Sequence, residues 1–165
     1  MKPLISDSLK ESLVTQLAEE NKNANLYLSI ASYLNGKGLS NLAKRFEEQH
    51  SEEISHGLII YNLLSDLSVV FTVPEIESYD ISLIDSIYKV GELYLEREVI
   101  TTESLDEIKK QAIDENNPVV EERIRLMIQY QQSEYKEATE FRDTTILFSE
   151  WWQVALWNAS LGKER

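Results

Sequence analysis

Five glycines and three prolines in 165 residues leave long stretches of this chain without a helix breaker. The breaks that do occur fall in few places: Gly36-Lys37-Gly38, the segment from Ser68 to Asp80 with Pro74, Asn116-Asn117-Pro118, and the region of Phe148-Ser149-Glu150. Between them, apolar residues recur at steps of three and four, the period of a helix that buries one face. The pattern predicts four long helices: A over 8–36, B over 40–67, C over 82–115 and D over 118–145. A short helix E follows over 150–161. Ser8 with Glu11 reads as a capping box for helix A, and Gly36 as its left-handed cap. Pro118 suits the first turn of helix D.

A helix of ~28 residues is ~42 Å long. Four such rods in a chain of one-domain length predict an all-α four-helix bundle spanning 1–165 as a single domain. Short turns make A/B and C/D antiparallel hairpins. The link between B and C is long enough, when extended, to run the length of the bundle. That predicts one long B–C crossover, with B and C parallel.

The inward positions can be read by continuing the spacing along each helix. Helix A gives Leu13, Leu17, Glu20, Ala24, Tyr27, Ala31 and Leu34. Helix B gives Leu42, Phe46, Gln49, Glu53, His56, Ile60, Leu63 and Leu67. Helix C gives Ile84, Ile87, Gly91, Tyr94, Glu98, Thr101, Leu105, Ile108 and Ala112. Helix D gives Val120, Ile124, Met127, Gln131, Glu134, Ala138, Phe141 and Thr145. Each series is apolar at both ends and polar in the middle. The ionisable members are Glu20, Glu53, His56, Glu98 and Glu134, each within about one helical turn of its helix midpoint. Midpoints in a bundle meet at one height, so four carboxylates and an imidazole are expected at one dry waist.

Buried carboxylates this close must be protonated, paired with cations or bound to metal. No inward position carries Lys or Arg. The charge count favours metal, since two divalent ions would balance four glutamates. Carboxylates with one His suit Fe or Mn, and Zn²⁺ also binds such sites. Glu53 and His56 stand at i, i+3, as do Gln131 and Glu134. For any one glutamate, a shifted register or a side chain reaching solvent is an equally good account; the agreement of four helices is what carries the reading.

Composition narrows the rest. The net charge of −13 opposes a generic nucleic-acid partner and fits cations. With no cysteine and two histidines, disulfides, Fe–S clusters, thiolate zinc sites and multi-His sites are excluded. No apolar run approaches ~18 residues, and the first residues lack the long apolar stretch of a leader. The expectation is a cytoplasmic protein with no membrane partner.

Taken together, Glu20 with Tyr27, Glu52-Glu53-Ile54-Ser55-His56, Glu98 and Gln131-Gln132-Ser133-Glu134 resemble the ferritins, most closely the non-haem bacterial ferritins, from Leu9 to about Ala138. A second Glu-x-x-His is absent, because position 137 is Glu. The resemblance implies a ferroxidase centre holding two irons per subunit. Glu20, Glu53 and His56 would hold one, and Glu53, Glu98 and Glu134 the other, with Glu53 bridging. Gln131 would stand near the incoming oxygen species and Tyr27 beside the site, as a core aromatic or a redox partner. Glu52 matches a ligand of a third iron position, but Tyr130 and Ser133 are not carboxylates. The implied activity is oxidation of Fe²⁺ to Fe³⁺ by O₂ or hydrogen peroxide, with mineral stored in a homo-oligomeric shell. Haem is not expected: a haem-bearing relative needs a methionine on helix B, and only Met1 and Met127 exist. A mini-ferritin that protects DNA fits poorly, since no basic tail is present. The alternatives are a di-iron oxidase or oxygenase without storage, and a scaffold whose glutamates face a water-filled channel. Glu121 and Glu122 are candidates for an acidic pore or a plain acidic helix start. The Trp-rich segment Trp151 to Trp157 is expected at a subunit contact or against its own bundle.

Overall fold

In the computed structural model, residues 4–163 are described. Among the described residues, five α-helices and one 3₁₀ turn make up the regular structure: α1 (Asp7–Gly36), α2 (Ser40–Asp66), the turn Ile81–Leu83, α3 (Ile87–Asp114), α4 (Pro118–Thr145) and α5 (Trp151–Leu161). Among the described residues no helix is long and apolar enough to cross a membrane.

The helix ends follow local chemistry. Ser6, not Ser8, caps α1, its hydroxyl accepting from the Leu9 N–H at 3.0 Å. The left-handed residue after α1 is Gly38 at φ 75°, two positions beyond the expected Gly36. Asn117 caps α4 through the Val120 N–H at 3.1 Å, with Pro118 in the first turn. α3 begins at Ile87 rather than Ser82. The Ser82 N–H is taken by Asp80 at 2.9 Å, which closes a tight turn, whereas the Ser86 hydroxyl accepts from Lys89 N–H at 3.1 Å and starts the helix.

Contacts fix the directions. α1 meets α2 through Asn35–Glu47, Ala24–His50 and Asn23–Glu53, an antiparallel series. It meets α3 through Ser12–Gln111, Gln16–Ser104 and Tyr27–Glu98, also antiparallel. α3 and α4 pair through Glu98–Gln131 and Glu92–Arg142. α2 and α3 are therefore parallel, and residues 67–86 run the bundle's length between them. The molecule is a four-helix bundle with one long crossover and a short fifth helix.

The core divides in two. One apolar cluster gathers Tyr27, Ile30, Leu34, Phe46, Tyr94 and Phe141; the other gathers Leu13, Leu17, Ile60, Leu63, Ile108 and Ile124. Every inward position read from the sequence is buried except His56, which is partly so. Tyr27, Tyr94, Phe46 and Phe141 pack with ring centroids 5.3–6.0 Å apart, mostly edge to face. α5 lays Val154, Trp157 and Trp151 on this end, while Trp152 stays 64% exposed. The Trp-rich segment thus packs on its own bundle with one face and leaves another free.

Gly91 lets α3 and α4 approach closely. A Cβ there would lie 2.8 Å from Thr145 Oγ1 and 3.0 Å from the Arg142 Cα. Backbone cannot yield as a flexible side-chain tip can, so Gly91→Ala is expected to cost about 1–3 kcal/mol. Urea denaturation checks this; an unchanged midpoint would mean the two helices separate freely.

Candidate metal centre

Between the two apolar clusters lies the polar waist. Glu20, Glu53, Glu98 and Glu134 are all buried, contributed by α1, α2, α3 and α4 in turn. Each arrives there because its helix has apolar turns on either side, so burying those turns drags the glutamate in. Glu53 and His56 share a face of α2 at i, i+3. His56 Nδ1 stands 4.0 Å from Glu20 Oε2 and 3.9 Å from Glu53 Oε1; its Nε2 stands 3.5 Å from Glu134 Oε1.

Two triads emerge. Glu20, Glu53 and His56 each offer a ligand atom within 4.8 Å of the others, and so do Glu53, Glu98 and Glu134. Glu53 belongs to both. These are the groupings that the sequence resemblance implied.

The carboxylates are held from outside. Gln16, fully buried, donates to Glu20 Oε1 at 2.7 Å. Asn23 donates to Glu53 Oε2 at 3.2 Å. Tyr27 donates its hydroxyl to Glu98 Oε1, and Gln131 donates to Glu98 Oε2 at 2.7 Å. Among the described residues, two of these buried carboxylate oxygens have no hydrogen-bond partner: Glu20 Oε2 and Glu134 Oε2. An orphaned buried acceptor is costly, and a cation in each triad would give each of these oxygens a partner. The donor set of hard oxygens with one imidazole fits iron.

Electrostatics say the same. Burial, then the charges of Glu20 and Glu98, push the Glu53 carboxyl well above the usual range. Burial pushes Glu98 up to about 7, against the hydrogen bonds from Tyr27 and Gln131 that favour its anion. Glu134 rises to about 9, again through burial first and then Glu98 and Glu20. Without bound cations this pocket holds protons at neutral pH. Tyr27, fully buried beside Glu98, stays a neutral phenol for the same reason.

Other expected residues lie outside the triads. Glu52 is exposed and accepts from Gln49 Nε2 at 3.0 Å. Tyr130 and Ser133 are exposed as well. Glu121 and Glu122 sit at the start of α4, where Glu122 pairs with Arg125 at 2.7 Å.

Sequence reasoning missed two residues. Arg97 is buried on α3, pairs with Glu19 and donates its Nε to Asn23 Oδ1 at 2.6 Å. Both Arg97 and Asn23 precede an inward position by one residue, at Glu98 and Ala24. A cation next to four inward acids was the available signal, but the inward spacing alone passes over it.

Comparison with known proteins agrees with this architecture. A family model described as Ferritin, ferritin-like domain, matches residues 10–146. None of the curated proteins matches the chain. Among solved structures, a humanized archaeal ferritin superposes with a TM-score of 0.88 at 25% identity, covering 95% of each chain. An open pore ferritin from the hyperthermophilic archaeon Archaeoglobus fulgidus gives 0.83 at 25% identity, covering 95% of this chain and 97% of that one. A PmFTN variant soaked in iron shares the fold at 0.81 and 18% identity, over 84% and 88% of the two chains.

Proposed function

We propose that this chain, which belongs to the ferritin family, is an iron-storage ferroxidase. Its substrate is Fe²⁺, and O₂ or hydrogen peroxide is the electron acceptor. The observation that carries this reading is the pair of triads sharing Glu53, with buried, unpartnered carboxylate oxygens on Glu20 and Glu134. Glu20, Glu53 and His56 would bind one iron; Glu53, Glu98 and Glu134 would bind the other.

The protein's part is positioning and charge. Four ionised glutamates balance two Fe²⁺, which together yield two electrons. One peroxide and two protons accept them to give two waters. Hard carboxylates favour Fe³⁺ over Fe²⁺ and so assist oxidation. Gln131 and Tyr27 hold the two oxygens of Glu98 in place. The acidic chain, at −13, favours cation uptake and mineral growth inside a shell of identical subunits.

Aerobic addition of Fe²⁺ followed by sizing tests the reading. A large assembly retaining many irons per subunit is expected. A small species that binds two irons and stores none would point instead to a di-iron oxidase. No iron uptake at all would leave a scaffold.

A further inference from the structure

We propose that Arg97 and Asn23 form a positioning arm that presets the orientation of Glu53. The inference rests on the reading of Glu53 as the ligand shared by two metal ions.

A guanidinium only donates, and stays charged when buried. Arg97 Nε lies 2.6 Å from Asn23 Oδ1, so the Asn23 oxygen must face Arg97. The amide nitrogen then has one direction left, toward Glu53 Oε2 at 3.2 Å and Thr101 Oγ1 at 3.0 Å. An asparagine amide has two senses that differ little in shape. With Arg97 removed, the amide can turn its oxygen toward Glu53, where acceptor would meet acceptor once Glu53 is ionised to bind metal. Glu19 anchors the other end of Arg97, so the arm runs from Glu19 through Arg97 and Asn23 to Glu53.

The arm reaches the one glutamate common to both triads. Pinning Oε2 leaves Oε1 directed at the His56 side, 3.9 Å from Nδ1. A carboxylate oriented before the metal arrives does not have to be ordered by it. Partners of this kind, one bond beyond the ligands, change metal affinity by about 10–100-fold when lost. Glu20 and Glu98 accept from neutral donors, Gln16 on Glu20 and Tyr27 with Gln131 on Glu98, while Glu134 faces His56. Glu53 is the member whose donor is itself locked by a fixed positive charge.

The test uses the intact protein and Co²⁺, a redox-inert probe whose visible absorption reports ligand geometry. Asn23→Asp keeps the size of the side chain and gains a direct pair with Arg97, so the fold is kept while the donor to Glu53 becomes an acceptor. Arg97→Met leaves Asn23 free to turn. Both variants are expected to bind Co²⁺ at least about tenfold more weakly than the parent, with an altered visible band and unchanged far-ultraviolet circular dichroism. If Asn23→Asp fails to fold, Asn23→Ser serves in its place. Affinity within about twofold of the parent and an identical band in both positions' variants would overturn the arm. A parent protein that binds no Co²⁺, or binds it equally well as Glu53→Ala, would overturn the underlying site reading instead.

Discussion

Replacing Glu53 by alanine is expected to abolish rapid Fe²⁺ oxidation while making the metal-free subunit more stable. The first effect follows from sharing. Glu53 is the only residue common to both triads, so its loss strips a ligand from each metal position at once. Loss of Glu20 or Glu134 would strip one position only and should leave slower turnover. The second effect follows from crowding. Burial and the Glu20 and Glu98 charges raise the Glu53 carboxyl well above its ordinary 4.5. A carboxyl held protonated in the fold that ionises on unfolding makes the folded state less stable at neutral pH. Truncation leaves a cavity, yet one lined by polar atoms that water can fill, so its cost is the smaller. In a chain of this length each kcal/mol moves the melting temperature by about 2–4 °C. Stopped-flow oxidation and thermal melting of the metal-free variant check both halves. Oxidation at the parent rate would remove Glu53 from the site, and a lower melting temperature would mean the pocket tolerates its acids better than burial allows.

The sequence made the waist legible because helical spacing and burial are the same information here. Glu20, Glu53, Glu98 and Glu134 sit between apolar turns that have to face inward, and a bundle allows each only one direction. The start of α3 was less legible. Ser82 and Ser86 both look like caps, and Ile84 prolongs the inward pattern without being helical; the choice falls to Ser86 because Ser82 sits inside the 3₁₀ turn that Asp80 caps. Gly36 against Gly38 is a similar case, since two glycines bracket one lysine and only the fold selects the left-handed one. Arg97 and Asn23 escaped because a one-dimensional inward pattern treats the neighbouring position as outside. A long guanidinium on that neighbouring position can still turn in when an amide and an acid on α1 receive it. Glu52 illustrates the reverse: next to an inward residue, it remains in solvent.

The metal-free protein is expected to lose stability as pH rises from 5 to 8, and bound divalent metal should remove or invert that slope. Glu98 at about 7 and Glu134 at about 9 both lie above the 4.5 of an unfolded chain. Between 4.5 and those values the folded state binds more protons than the unfolded state. Stability therefore falls with rising pH, by about 1.4 kcal/mol per unit for each such group. Glu98 contributes its share up to about 7, and Glu134 continues to about 9. Glu53 adds to the slope in the same direction. Below 4.5 these three groups are neutral in both states and cost nothing. Metal reverses the linkage, because carboxylates bind it as anions and release their protons. Its stabilisation should then grow with pH, where fewer protons compete. Denaturant titrations of the metal-free and Zn²⁺-loaded protein at pH 5, 6, 7 and 8 would read the two slopes. Parallel slopes would mean the glutamates are not the groups that hold the metal, and a flat metal-free profile would mean they are solvated rather than gathered in a dry waist.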